Sequence, residues 1–350
     1  MPQLPYYHPT RHPLLVEGLN GRMRRVSQEI MRDGLRTYSN LQSEAATKNY
    51  LRSQLEKRMG NFNKTAVENF NHVTDVLGKN GNNIFDVSQL ARFFSNTEVD
   101  DIEVDNIDSP FPAFYLHFGA SANLNISSRP GLYIEGAYVV PSEIDGSTPT
   151  RELVFCCNYI DPGPAANVAE LVGAQSWIAR APLISGFTVS ESIELIDGLN
   201  GRSEIANDDQ LVTNALRIAV NSLLYISTPK ADVEVGFEPE APRGYVEKIA
   251  RGDTKMADLL QRRGFKSVRL YGRNISAELA LHESSSRNVE PHYRRGHWRR
   301  VAHGVGRTER HWHWIAPVIV NGKLGLPARD GTIYELPDEP ARPAAPSFKM

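Results

Sequence analysis

The sequence of 350 residues predicts an α+β fold: N-terminal helices, then a mixed or largely antiparallel sheet packed on one long helix. Three observations predict it. The first hundred residues carry helical periodicity between glycine breaks. After Asp100 come short β-branched and aromatic runs bounded by Gly, Pro, Ser or Asn. One 3.6-period apolar stripe then marks a long helix that can cover such a sheet.

Residues 1–12 hold three prolines and little periodicity, and read as a flexible arm. Leu14 to Leu55 is rich in Arg, Glu, Gln, Leu and Met, with breaks at Gly18, Gly21 and Gly34, and predicts two or three helices. Ala66, Val67, Phe70, Val73 and Leu77 share one face of a helix over Asn63–Leu77, which the GKNGNN stretch at 78–83 ends. A short helix at Val87–Phe94 completes a helical region over 13–100. An α+β domain follows over 101–336. Its first strands are Phe111–Phe118, Gly131–Val140 and Glu152–Asn158, whose short connections favour antiparallel pairing. A helix is expected at Ala165–Ile178. Over Asp208–Ile226, Leu211, Ala215, Ile218, Ala219, Leu223 and Ile226 form the long stripe, with Asp208 or Asp209 as cap and Pro229 as stop. Val233–Phe237, Val268–Tyr271, Ile275–Leu281 and Trp312–Val320 read as further strands. The proline-rich residues 337–350 read as a disordered tail.

The composition, 41% apolar and 23% charged, is that of an ordinary globular protein able to build a core without disulfides or metals. No apolar run is long enough to span a membrane, and the N-terminus does not read as a secretory signal. The two cysteines are the neighbours Cys156 and Cys157, poor partners for a bridge, which fits a reducing cytoplasm. Inside a strand they point to opposite faces, and the expectation is two buried structural thiols. The net charge of −2 conceals an asymmetry. Arg287–Trp314 contains seven arginines, no lysine and only Glu290 and Glu309 in opposition, so a basic segment sits on an acidic body.

That segment also holds most of the chemistry-bearing residues. Six of the ten histidines lie between His282 and His313, and three of the four tryptophans between Trp298 and Trp314. Arginine presents a planar fork suited to phosphate, indoles offer faces for unpaired bases, and histidine exchanges protons near neutral pH. Together they predict RNA or DNA as partner, RNA preferred, through Arg294, Arg295, Trp298, Arg299, Arg300, Arg307, Arg310 and Trp314. Arg295, Arg299 and Arg307 would clamp phosphates and Trp298 would stack a base. Metal-independent RNA cleavage would use His297 as general base and His292, His311 or His313 as acid. Gly304 and Gly306 would let backbone amides approach a phosphate.

Blander readings stand beside these. The tryptophans fill a small core, or the arginines pair with the acidic body. The protein is then a structural or assembly factor whose basic segment binds an acidic partner, including another copy in a homo-oligomer. His311 and His313 share a strand face and also allow a metal-dependent hydrolase, although no cysteine or carboxylate pattern accompanies them; no cofactor or metal is expected. Gly-rich phosphate loops, HExxH, CxxC and GxSxG are absent.

The stretch His292–Pro317 resembles a family of phage, plasmid and prophage proteins. In these an R-G-H-[WF]-R core precedes a glycine turn, an aromatic strand ending in proline, and a further glycine-containing turn. The matching residues are Arg295, Gly296, His297, Trp298, Arg299, Gly304, Gly306, Trp314, Pro317 and Gly322. Leu211–Tyr225 followed by Asp232–Val235 resembles the element preceding that motif; the first hundred residues are not covered. The resemblance implies a mobile-element context and brings no established reaction.

Overall fold

The computed structural model describes residues 6–34, 49–50, 53–54, 64–127, 130–141, 151–159, 171, 179–192, 209–228, 231–274, 292–294, 296–303, 306, 309–315 and 318–320. All of the expected helix at 165–178 but residue 171, residues 1–5 of the expected arm, the expected strand at 275–281 and the tail lie outside them.

Helix α1 spans His8–Gly34 and α2 spans Lys64–Lys79. Strand β1 (Ile84–Asp86) and helix α3 (Ser88–Phe94) follow, then β2 (Phe114–His117), β3 (Leu132–Pro141), β4 (Arg151–Tyr159) and β5 (Ala179–Leu183). Helix α4 (Asp209–Ile226) leads to β6 (Val233–Phe237), the helices α5 (Arg243–Ala250) and α6 (Thr254–Arg262), and β7 (Ser267–Tyr271). Four C-terminal strands complete the order: β8 (His292–Arg294), β9 (His297–His303), β10 (Glu309–Ile315) and β11 (Val318–Val320).

Seven strands form one mixed sheet in the order β5-β4-β3-β2-β1-β7-β6. Among the described residues the parallel pairs are those of β1, with β2 on one side and β7 on the other. The succession β2-β3-β4-β5 is antiparallel, as short connections require, and so is β6-β7. The fold is therefore α+β, with N-terminal helices, a mixed sheet and long helices against it.

Period-two alternation gives the sheet two apolar faces. One carries Ile84, Tyr115, Tyr138, Val154 and Cys156 and receives Tyr7 of the N-terminal segment with Phe70, Val73 and Leu77 of α2. The other carries Phe85, Phe114, Leu116, Ile134, Phe155 and Cys157 and receives α3 and α4. The neighbouring thiols thus enter opposite cores, both buried and unbridged. Helix α4 buries more than the expected stripe, because Val212, Leu216, Val220, Leu224 and Tyr225 are covered as well. A helix apolar around most of its circumference is sandwiched, and here the second cover includes α3 and the C-terminal strands.

One expectation is corrected at the N-terminus. Residues 8–12, read as part of a flexible arm, form the first turns of α1, and Tyr7, His8, Arg11 and His12 are buried. Pro9 falls in the first helical turn, where its missing N–H has no intrahelical acceptor to satisfy, so proline there is compatible with helix. Among the described residues, no helix is long and apolar enough to cross a membrane.

Candidate functional site

Strands β9 and β10 form an antiparallel hairpin in which Trp298 faces Trp314, Arg300 faces Trp312 and Arg299 faces His313. Period-two alternation puts all three indoles on one face of this ribbon. That face is turned inward. Trp314 is 7% exposed and packs edge-on against Phe94 of α3 and Tyr225 of α4, at centroid distances of 5.3 and 5.4 Å. Trp298 packs on the same core, and its Nε1–H donates to Asn221 Oδ1 of α4 at 2.6 Å. Trp312 also packs there, with the Arg300 guanidinium 5.3 Å above its ring. Arg300 in addition donates to Asn106 Oδ1 at 3.1 Å.

The opposite face is accessible. Arg299 and His313 are exposed there and His297 is half-buried; Arg310, two residues before Trp312 and so on the indole side, is exposed too. His311 stands opposite Val301 in β10, while His292 and Arg294 stand opposite Val320 and Val318 in the separate β8–β11 pair. Arg295 and Arg307 lie outside the described residues. The hairpin therefore brings Arg299, Arg310, His297 and His313 onto one ribbon, and turns Trp298 and Trp314 toward the core.

A second cluster of polar residues escaped the sequence reading. A bulge between Ile134 and Gly136 of β3 turns Glu135 toward α1. Its carboxylate is buried and paired with the Arg11 guanidinium, itself buried, and lies 3.8 Å from His117 Nδ1. Gly136 is required beside it, since a Cβ would collide with the Leu116 carbonyl and the Tyr115 phenol. Around this pair, Tyr7 donates to Asp86 Oδ2 at 2.8 Å, His8 Nδ1 lies 2.8 Å from the Tyr138 hydroxyl, and Thr10 donates to Glu238. Burial, with Arg11 beside it, pushes the His12 imidazole down to about 4, so the ring is neutral at pH 7. Burial first, and Asp86 next, raises the Tyr7 phenol. Burial and the Glu135 charge raise the Cys156 thiol, which is therefore no nucleophile. The clue in the sequence was an acidic residue inside an otherwise apolar strand, GLYIEGAYVV, together with the dense YYHPTRH at the N-terminus.

The basic, aromatic hairpin of this α+β protein is thus docked onto its own core through its indoles. The chain is a member of the AcrVA2-like family, the anti-CRISPR type V subtype A2 family, whose sequence pattern matches residues 86–322. It is 27% identical over 182 residues to the uncharacterized protein y4fF of Sinorhizobium fredii (strain NBRC 101917 / NGR234), covering 49% of this chain and 95% of that protein. It is also similar to the solved structure titled crystal structure of AcrVA2, with 15% identity, 90% of this chain and 100% of that one covered, and a TM-score of 0.41.

Membership bears out the resemblance to a phage- and mobile-element-associated family. It also corrects the main functional expectation. An RNA- or DNA-binding, RNA-cleaving protein does not fit an anti-CRISPR family whose indoles here are spent on packing and hydrogen bonding within the fold. Among the described residues no three His, Cys, Asp or Glu side chains group closely enough to hold a metal ion. The alternative expectation, a non-enzymatic structural or assembly protein that binds an acidic partner, fits the family better.

Proposed function

We propose that this protein is a non-enzymatic inhibitor of type V CRISPR immunity that acts by binding a Cas protein in the cytoplasm of the host cell. The observation carrying this reading is the family match over residues 86–322, about two-thirds of the 350-residue chain. The geometry is consistent with it. A hairpin anchored through Trp298, Trp312 and Trp314 is a rigid support from which Arg299, Arg310 and His313 meet another protein's surface. Anchoring lowers the entropy lost when those side chains are fixed in a complex.

The test is expression of the full chain in a bacterium that carries a type V CRISPR system directed against a phage. Restored plaque formation, with the Cas effector co-purifying, is the expected outcome. Unchanged immunity would overturn the proposal, and so would inhibition accompanied by general breakdown of cellular RNA.

A further inference from the structure

Strands β6 and β7 are antiparallel neighbours, with Phe237 opposite Ser267, and a tight turn would be enough to join them. Instead residues 238–266 leave the sheet and return as the helices α5 and α6. This excursion adds little to either core: α5 has no buried residue and α6 has only Leu260. The two helices lie against each other, and Tyr245, Val246, Ile249 and Leu259 are half-buried. Neither helix is floppy by construction. Asp253 caps α6 by accepting from Lys255 N at 3.1 Å and Met256 N at 3.4 Å, and Gly252, at φ +96°, makes the turn. At the base, buried Glu238 accepts from Lys266 N at 2.9 Å and from Thr10 of α1, tying the hairpin to the body.

The surface of this hairpin is strongly basic. Residues 243–266 hold seven cations against three carboxylates. Arg243, Lys248, Arg251, Lys255 and Arg262 are exposed, and among the described residues none forms an ion pair; Arg263 lies 5.2 Å over the Tyr245 ring. On the strand leading into it, Val233 and Val235 are 47% and 66% exposed. A protruding, capped element that stabilises no core, carries unpaired positive charge and adjoins exposed apolar side chains has the composition of a docking surface.

We infer that the α5–α6 hairpin is the element that engages an acidic surface of the Cas protein, with Val233 and Val235 as apolar contacts at its edge. This rests on the proposed function and names the part of the molecule that performs it. Charge complementarity selects the occupant: an exposed array with net positive charge favours a carboxylate-rich partner, and such an array governs encounter and salt dependence.

The test compares the full chain with a variant carrying Lys248→Glu, Arg251→Glu, Lys255→Glu and Arg262→Glu, and with a milder one carrying glutamine at the same positions. Each is assayed for restored plaque formation and for binding to the purified, guide-free Cas effector at low and high salt. The native chain is expected to bind more weakly as salt rises. The charge-reversed variant should bind at least about tenfold more weakly and lose inhibition, with the glutamine variant between them. All four positions are exposed, so unchanged circular dichroism and melting temperature are expected for both variants. Undiminished binding and inhibition by the charge-reversed variant would overturn the hairpin assignment while leaving the proposed function standing. Failure of the native chain itself to inhibit or bind would overturn both. Binding to the effector that survives charge reversal, while retention of an RNA or duplex DNA probe is lost, would assign the surface to nucleic acid and refute the inference.

Discussion

Trp298 and Asn221 hold the C-terminal hairpin onto helix α4: the indole Nε1 donates to the carboxamide Oδ1 at 2.6 Å. The same carboxamide donates through Nδ2 to the carbonyls of Phe94 and Thr97, each at 3.0 Å, and of Arg217 at 2.8 Å. One buried side chain thus links β9, α4 and the end of α3.

Asn221→Ala should destabilise the protein by about 3 kcal/mol, because it strands a buried indole N–H and carbonyls together. Trp298→Phe leaves only the Asn221 oxygen without its donor and should cost about 1–2 kcal/mol beyond any packing loss. Urea unfolding of both single variants and the double variant checks this; the double should cost less than the two losses added.

The Arg11–Glu135 pair makes a sharper prediction. Arg11→Met leaves a buried carboxylate uncompensated and should cost about 3–5 kcal/mol, whereas combining it with Glu135→Gln should recover much of the loss. Equal destabilisation by the single and double variants in chemical denaturation would contradict the pairing as the source of stability.

Acid should weaken the fold through His12. Its imidazole titrates near 6.5 when unfolded and at about 4 when folded. Between those values the unfolded chain holds the extra proton, so stability falls as pH drops from 7 toward 4, by roughly 3 kcal/mol at the lower end. Glu238 works in the opposite direction: burial raises its carboxyl, so the stability it contributes is present at low pH and lost as pH rises through the raised value. His12→Phe should flatten the acid limb between pH 6.5 and 4. An unchanged limb in thermal melts of that variant would refute the assignment.

Both thiols should resist modification. Cys156 and Cys157 are buried on opposite faces of β4, so a thiol reagent should label neither in the native protein and both in denaturant. Rapid labelling of either one under native conditions would disprove the sandwiched position of β4.

Long periodic elements were legible in the sequence. The stripe of α4, the face of α2 and the alternation of β3 and β4 have enough residues to express a period. β1 did not, because Ile84–Asp86 is only three residues long, although it has two parallel neighbours. β9 was hidden by its charges: in His297–His303 Arg299 and Arg300, one on each face, masked the inward tryptophan. No element was expected over the α5–α6 hairpin, since Pro242 and Gly252 punctuate it and its helices bury almost nothing. The tryptophans stood out by their clustering, but composition has no direction. Only the register Trp298–Trp314 and the partner Asn221 reveal that they point inward. The cluster around Glu135 depends on contacts more than a hundred residues apart, Arg11 to Glu135 and His8 to Tyr138, which no local pattern encodes.

The parallel pairing of β1 with β7 has a consequence for how the protein is made. Ile84 aligns with Val268, so a ribosome must deliver more than 180 further residues after β1 before its second neighbour exists. Until then β1 is a bare edge, and nascent chains halted short of Tyr271 should be the aggregation-prone products of its translation.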